Sequence, residues 1–443
     1  MRKRRIRIAL FLSMNLSAIL LLAPPRPAGA QQRVDPTKIE RARGMLRDAR
    51  DLVKKNYYDP KYHGIDLDAR YQQYDERIAA VPSFNEGLRL VAGFLEGLKD
   101  SHTYVIPPDR PYRFDYGFRM QLFGDNAFII RTRPGTDAES KVHPGDQVLA
   151  YVSNPVNRAD FADVQYLFNR LMPRTETQLD LRDPDGNVRR VSIDTKIRQE
   201  KVERQISPAS ADYYKILRQR QDQDYILRQQ QRVMGDVVIW KMPTFLFADS
   251  EVDHYFEVPR AHKTLILDLR GNPGGFSATL DRMVANVFDH DVKITDRVTR
   301  KETKPEIAKP VHRPFTGKLI VLVDSASNSA AELFARVIQL EHRGTVIGDR
   351  SGGHVMQAEI YPCKLGLDTE LWYAFSVTEA DLIMNDGKSL ERVGVTPDEI
   401  LLPTPKDLAA GRDPVLSHAA QLAGVTLDPD AAGKLFPLEW LPF

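Results

Sequence analysis

Residues 319–340 read LIVLVDSASNSAAELFARVIQL, and this stretch decides the fold class of the chain. The five consecutive apolar residues 319–323 are typical of a strand that is covered on both faces of a parallel sheet. A short polar turn follows, and residues 330–340 then show the apolar periodicity of a helix. Strands and helices alternate around this stretch, so residues 233–404 are predicted to form an α/β layered core.

Other segments of this core carry the same pattern. Continuous apolar runs at 237–240 and 264–269 predict two more buried strands, and residues 280–287 predict a helix. Three further strands are predicted around residues 345–348, 355–361 and 371–377.

The residues before the core fall into two units with different patterns. From residue 35 to 98 the apolar positions recur every three or four residues, which predicts an N-terminal helical domain over residues 31–110. Short apolar runs separated by turn residues predict a small domain of strands over residues 111–199. Within it, residues 161–171 fit a short helix, and the turn 183–186 fits a hairpin.

The remaining segments are predicted from composition. Residues 1–30 combine a basic start, an apolar run and the ending Ala28-Gly29-Ala30, which predicts a cleavable signal peptide. Polar residues interrupt the apolar run, which is shorter than the ~20 residues of a membrane span. We therefore expect a periplasmic or secreted protein with no membrane anchor after cleavage. Residues 200–232, rich in Arg and Gln, predict a polar helical linker, and 405–443 predict a C-terminal tail that packs on the core or caps its surface.

The composition of the chain argues against several classes of function and kinds of site. The net charge of +2 argues against a nucleic-acid binder. The single cysteine, Cys363, excludes an intrachain disulfide and cysteine-ligated zinc. The ten histidines include no HExxH pair, and the glycine pattern matches neither a dinucleotide fingerprint nor a phosphate-binding loop. No metal and no cofactor is therefore predicted.

Three places could carry chemistry. The turn after residues 319–323 holds Ser325, Ser327 and Ser329 beside the free amides of a helix start, which suits a nucleophile, although serine is also a common helix cap. Residues 267–276 read LDLRGNPGGF. The loop after Leu267 either offers exposed amides for an oxyanion or forms a plain tight turn. The pair Ser101-His102 could supply a general base or simply end a helix.

With these residues in view, the chain resembles the C-terminal-processing (tail-specific) serine peptidases and the core of tricorn protease. Five motifs occur in that family's order: Asp100 to Thr103, the loop 268–275, Ser329-Ala330-Ala331-Glu332, Gly348-Asp349, and residues 390–398. The resemblance implies a crotonase/ClpP-like layered core with an N-terminal helical domain and an inserted PDZ domain.

The resemblance also implies roles for individual residues. Glu332 aligns the motif so that Ser329 is the nucleophile. The lysine base of the processing peptidases is replaced by His354, whereas the histidine, its preceding serine and the distal glutamate of the tricorn branch match His102, Ser101 and Glu391. His102 is then the general base, and His354 is the alternative base. The amides of Gly275 and Ala330 are the candidates for the oxyanion hole.

In the inserted domain, Tyr116-Gly117-Phe118-Arg119 resembles the carboxylate-binding loop of a PDZ module. The resemblance therefore implies an exported serine endopeptidase that cleaves protein or peptide substrates recruited by their C-termini. The alternative is a peptide- or ligand-binding protein of the same fold without catalysis, which the missing lysine favours. An acyl-CoA enzyme of crotonase type is disfavoured, because export separates the protein from cytoplasmic CoA.

Overall fold

The computed structural model describes residues 36–199, 229–365, 371–437 and 440. The predicted signal peptide and residues 200–228 of the predicted linker lie outside the described residues. Among the helices of the described ranges, none is long and apolar enough to cross a membrane.

The N-terminal unit is a three-helix layer followed by a short strand. Its elements are α1 Pro36–Asn56, α2 Leu67–Ala79, α3 Phe84–Glu96 and β1 Tyr104–Ile106. Asp66 and Ser83 accept hydrogen bonds from the first amides of α2 and α3, which explains where these helices begin. The apolar faces of the helices form a shared core. The predicted helices are confirmed, but β1 pairs with a strand of the core and not with this unit.

The second unit is built mainly of antiparallel strands. Its elements are β2 Tyr112–Asp115, β3 Phe118–Phe123, β4 Asn126–Thr132, α4 Ala138–Lys141, β5 Gln147–Tyr151, β6 Asn154–Pro155, α5 Phe161–Tyr166 with the adjoining turn Leu167–Leu171, β7 Glu176–Arg182, β8 Val188–Asp194 and β9 Lys196–Gln199. The main sheet has the order β3-β4-β5-β7-β8, which leaves β3 at an edge among the described strands. The predicted hairpin at the turn 183–186 and the helix near residue 161 are confirmed.

The third unit is the α/β core. Its elements are β10 Gln230–Met234, β11 Val237–Lys241, α6 Asp249–Tyr255, α7 Glu257–Arg260, β12 Thr264–Asp268, α8 Ser277–Ala285, β13 Val292–Thr299, β14 Thr303–Ala308, β15 Lys318–Val323, α9 Ala330–Leu340, β16 Thr345–Gly348, β17 Met356–Leu365, β18 Leu371–Met384, β19 Glu399–Ile400, α10 Pro405–Ala410, α11 Pro414–Leu422 and α12 Pro429–Lys434.

The central sheet has the order β10-β11-β12-β15-β16-β19 and is parallel from β11 onward. Its first strand corrects one prediction: residues 230–232, assigned to a helical linker, belong to β10, which pairs antiparallel with β11. Their polar side chains resemble those of a solvated helix, because an edge strand needs no continuous apolar run.

Both faces of this sheet are covered, as its apolar strands predict. Helices α8 and α9 pack on one face, and the other face packs against α11 and α12, which belong to the predicted tail. The tail is therefore part of the core packing. Arg270, after β12, forms hydrogen bonds with both Asp268 and Asp413, and so ties the end of β12 to the start of α11.

A second sheet brings distant parts of the chain to the site. Strand β18 pairs with β17, with β13 and with β1, and β14 extends the sheet beyond β13. The pairing of Tyr104 with Ser376 anchors the end of the N-terminal unit on the core. This pairing places Ser101 and His102, just before β1, beside the core loops.

Candidate active site

The backbone of Ser329 is strained. This residue stands between β15 and α9 with φ 53° and ψ −118°, a conformation that serine rarely adopts. Such strain persists only where surrounding structure imposes it, and it clusters at functional sites. The Ser329 hydroxyl makes no capping hydrogen bond to the helix, so within the described residues it does not act as the cap that its position allows.

The two neighbouring serines have structural roles. The Ser327 hydroxyl is buried and donates to the carbonyl of Leu269 at 2.8 Å. The Ser325 hydroxyl donates to the carbonyl of Leu122 at 2.6 Å, which joins the turn to strand β3 of the second unit. Both hydroxyl protons are therefore held by backbone oxygens, and Ser329 is the serine of this turn whose hydroxyl is not.

The glycine-rich loop packs directly on the Ser329 turn. A Cβ placed on Gly274 would lie 2.7 Å from the Cβ of Ser329 and 3.0 Å from the amide nitrogen of Ala330. Gly275 has φ 153° and would bring a Cβ to 2.5 Å from the backbone of Phe245. Only glycine fits at both positions. Within the described residues, nothing accepts a hydrogen bond from the amide of Gly275 or Ala330.

Ser101, His102 and Glu391 form a hydrogen-bonded relay. The Ser101 hydroxyl donates to Glu391 Oε2 at 2.8 Å and lies 2.8 Å from His102 Nδ1. The Ser101 amide donates to the other carboxylate oxygen, also at 2.8 Å. Because the serine proton points to the glutamate, His102 Nδ1–H is the donor to Ser101, and Nε2 keeps a free lone pair. This tautomer is the one that a general base needs.

Asp100 holds the relay in place and was not singled out from the sequence. Its carboxylate accepts the His102 amide at 2.8 Å and the hydroxyls of Thr103 and Thr378, each at 2.8 Å. An aspartate often accepts a hydrogen bond from the amide two residues after it. The spacing between Asp100 and His102 was therefore the sequence feature that could have predicted this contact. Thr378 lies on β18 and gave no such signal.

Burial sets the protonation of the relay. The pKa of His102 is lowered to about 4, mainly by burial; the charge of Asp100 acts against this shift and nearby His354 adds to it. The imidazole is consequently neutral at physiological pH. Burial also raises the pKa of Glu391, against the hydrogen bonds from Val355 and Ser101.

His354 lies close to this relay without being part of it. Its amide donates to Glu332 Oε2 at 2.9 Å, and burial lowers the pKa of its imidazole, with a further contribution from Arg392. His354 lines a cleft of about 1280 Å³, which lies between α3, α5 and the loop 350–354. Ser101 lines the same cleft.

The predicted site residues thus form two groups. Ser329 lies with the amides of Gly275 and Ala330, and His102 lies with Ser101 and Glu391. No hydrogen bond joins His102 to Ser329 in the part of the chain that the structure describes. The two groups are connected instead through residues 353–355, which contact Glu332 on one side and Glu391 on the other.

The predicted carboxylate-binding loop lies at the start of the edge strand β3. Gly117 has φ 74°, and its amide donates to Asp115 at 2.9 Å. The Tyr116 hydroxyl donates to the carbonyl of Phe168, and the Arg119 guanidinium lies 4.9 Å from the ring of Trp440. The amide of Gly117 is therefore engaged within its own loop, and the Arg119 guanidinium is engaged by the ring of Trp440.

Comparison with known proteins finds family matches in two parts of the chain. Residues 236–401 match the family model described as Peptidase family S41, and residues 40–86 match the Tricorn protease C1 domain. Tricorn protease homolog 2 of Streptomyces coelicolor is 26% identical over 399 residues, which cover 85% of this chain and 32% of the relative. The chain therefore spans about a third of that relative.

Two further similarities cover more of the related chain. Carboxyl-terminal-processing peptidase 3, chloroplastic, of Arabidopsis thaliana is 23% identical over 412 residues, covering 88% of this chain and 76% of the relative. The crystal structure of mature CPAF matches with a TM-score of 0.62 at 16% identity, over 84% of this chain and 94% of that chain. The resemblance to the C-terminal-processing and tricorn peptidases is confirmed, and the last comparison shows a shared fold, whereas the inserted PDZ domain and the crotonase/ClpP-like layering stay predictions.

Proposed function

Because residues 236–401 form a peptidase family S41 domain, we propose that this chain is an exported serine endopeptidase that cleaves protein or peptide substrates through an acyl-enzyme on Ser329. The observation that carries the proposal is the strained Ser329 turn, with a free hydroxyl and two free amides. The relay of Glu391, Ser101 and His102 on the adjoining loop supports it.

The first half of the reaction forms the acyl-enzyme. Ser329 Oγ attacks the peptide carbonyl carbon while His102 Nε2 takes the hydroxyl proton. The resulting imidazolium is stabilised by Ser101, whose own hydroxyl is polarised by Glu391. The C–N bond then breaks as His102 returns the proton to the leaving amine. No hydrogen bond joins His102 to Ser329 among the described residues, so this step requires the two side chains to approach each other when substrate binds.

The second half releases the acid product. A water molecule gives its proton to His102 and attacks the acyl carbon, and Ser329 Oγ leaves with that proton. In both halves the negative oxygen of the tetrahedral intermediate accepts hydrogen bonds from the amides of Gly275 and Ala330. The amide of Ala330 lies at the first turn of α9, where the helix dipole adds favourable charge.

Covalent labelling distinguishes this proposal from a non-catalytic binding protein. We expect a fluorophosphonate probe to modify the protein at one site, which peptide mass spectrometry assigns to Ser329. The labelled protein should lose its ability to hydrolyse fluorescein-labelled casein. Ser325 and Ser327 stay unmodified, because their protons are held by backbone carbonyls. An unlabelled protein with no casein hydrolysis would favour the binding function instead.

For the second unit we propose a PDZ-like role in substrate recruitment. Strand β3 is at an edge of its sheet among the described strands, and an extended peptide could pair with it as an added strand. The loop Tyr116–Arg119 at the start of β3 is the proposed site for the terminal carboxylate. Hydrogen bonds from Gln121 to Asp324 and from Ser325 to Leu122 connect this strand to the nucleophile turn.

A pair of peptides tests this recruitment. An apolar-ended peptide with a free C-terminus should bind at least about tenfold more tightly than its amidated form, because amidation removes the negative charge of the terminal carboxylate. Fluorescence anisotropy with labelled peptides measures both affinities on the inhibited protein. Equal affinities would exclude capture of a terminal carboxylate.

A further inference from the structure

One buried carboxylate gathers four hydrogen-bond donors around the nucleophile. Glu332, on the first turn of α9, is 0% exposed. Its Oε2 accepts the amides of Ser329 and His354, each at 2.9 Å. Its Oε1 accepts the Ser351 hydroxyl at 2.5 Å and the Gly353 amide at 2.7 Å. Three of these donors come from a loop that is remote in sequence from α9.

A second carboxylate continues the same line of contacts. Glu391 accepts the amide of Val355 at 2.9 Å, in addition to its bonds from Ser101. The consecutive amides of residues 353–355 therefore donate to two carboxylates, first Glu332 and then Glu391. Glu332 holds the nucleophile, and Glu391 holds the serine that contacts His102.

We propose that Glu332 is a positioning residue that sets the separation between Ser329 and His102, through its hydrogen bonds to Ser329 and to residues 353–354. This inference rests on the proposed function. The strained backbone of Ser329 is held by the hydrogen bond from its amide to the Glu332 carboxylate. The loop 351–354 donates hydrogen bonds to the same carboxylate. Loss of the carboxylate would leave the backbone bond from the Gly352 amide to the Ser327 carbonyl and remove the hydrogen bonds through which Glu332 holds Ser329 and residues 353–354 together.

The chemistry of the four donors requires an ionised carboxylate. A carboxylate has two accepting oxygens and no proton, so it can serve all four donors. A glutamine of the same shape has one accepting oxygen, and its NH2 group would face two of the donors. Burial raises the pKa of Glu332 to about 7, against the four hydrogen bonds that favour its charged form. Measurements at pH 8 keep the native residue ionised.

The test is the Glu332→Gln variant of the full chain at pH 8. We expect kcat for fluorescein-labelled casein to fall about 100-fold while KM changes less than about threefold, because a misplacement of about 1 Å at a catalytic group has an effect of this size. The rate of fluorophosphonate labelling at Ser329 should fall in parallel. Rates are expressed per folded molecule, with folding checked by circular dichroism.

A matched control separates positioning from loss of stability. Asn286, at the end of α8, is fully buried and hydrogen-bonded to Asp253 and Arg260, away from the site. Asn286→Ala should lower Tm and leave kcat near the wild-type value. The inference is overturned if Glu332→Gln keeps wild-type kcat, or if Asn286→Ala with a similar loss of Tm loses as much kcat.

A second variant applies if Glu332→Gln does not fold. Ser351→Ala removes one of the four donors and keeps the three amides, so kcat should fall about tenfold, as for loss of one hydrogen bond to a charged group. Unchanged kcat in that variant would then overturn the inference. Failure of the proposed function looks different, since the wild-type protein itself would neither hydrolyse casein nor react with the probe.

Discussion

Ser329→Ala should lower kcat for casein hydrolysis by roughly 10⁴- to 10⁶-fold, because the acyl-enzyme cannot form without the hydroxyl. The fold should be unaffected. The Ser329 side chain caps no amide of α9, and alanine keeps the backbone amide that donates to Glu332. Tm is expected within a few degrees of the wild-type value, and substrate binding should persist. Steady-state kinetics and thermal unfolding of the same samples measure both quantities.

Ser327→Ala is the matched control for this variant. It removes a buried hydroxyl two residues away, which donates to the carbonyl of Leu269. We expect about 1–3 kcal/mol of lost stability, since that carbonyl loses a partner in the interior, together with retained hydrolysis. Full activity in Ser329→Ala, or complete loss in a folded Ser327→Ala protein, would contradict the assignment of the nucleophile.

His102→Ala should lower kcat by roughly 10⁴-fold, because Ser329 then has no base to take its proton. His354→Ala should keep kcat within about tenfold, since the contact that joins His354 to Glu332 is made by its backbone amide and survives the substitution. Both variants are assayed with casein and with the fluorophosphonate probe. The reverse outcome, an active His102→Ala and an inactive His354→Ala, would assign the base to His354.

The pH profile provides a second readout for His102. A base acts in its neutral form, and burial lowers the pKa of His102 to about 4, helped by His354 and opposed by Asp100. A lowered pKa keeps the imidazole neutral down to about pH 4. The acid limb of kcat/KM that belongs to this base should therefore lie near pH 4 and not near 6.5, the usual pKa of histidine. A limb with a midpoint at 6.5 that His102→Ala abolishes would contradict a buried base.

The separation of the two groups has a mechanistic consequence. The proposed nucleophile belongs to the core, while the proposed base precedes β1 and is held by Asp100 and, through Ser101, by Glu391. The cleft between α3, α5 and loop 350–354 lies where the three units meet. A substrate in that cleft would contact all three units, so binding and assembly of the site can be one event. Such a requirement would limit hydrolysis to peptides that fill the cleft.

Much of the fold follows from local sequence patterns. The strands β11, β12 and β15 were predicted because both their faces are buried, and a strand of that kind is apolar along most of its length. The three N-terminal helices were predicted because each buries one face. Strand β10 was not predicted, because it lies at the edge of the sheet and carries polar residues. Such residues show no periodicity that would distinguish an edge strand from a solvated helix.

The candidate site shows the limit of such patterns. Its five motifs were recognised in the sequence, and they named Ser329, His102, Ser101 and Glu391. Local sequence left three serines of one turn equivalent, since each stands near the same helix start. The family motif selected Ser329 through Glu332, and the structure adds a physical reason: the hydroxyls of Ser325 and Ser327 donate to the carbonyls of Leu122 and Leu269, which are distant in sequence.

The sequence by itself determined which segments are strands and helices and which residue types are available for acyl transfer, because burial and backbone preference act over a few neighbouring residues. Only the tertiary structure decided which of those groups are free and which are bound. Ser101 and Glu391 are 290 positions apart, and the amides that meet Glu332 come from a loop 21 and 22 positions away. Such hydrogen bonds depend on how the sheets close around the core, which no local pattern records.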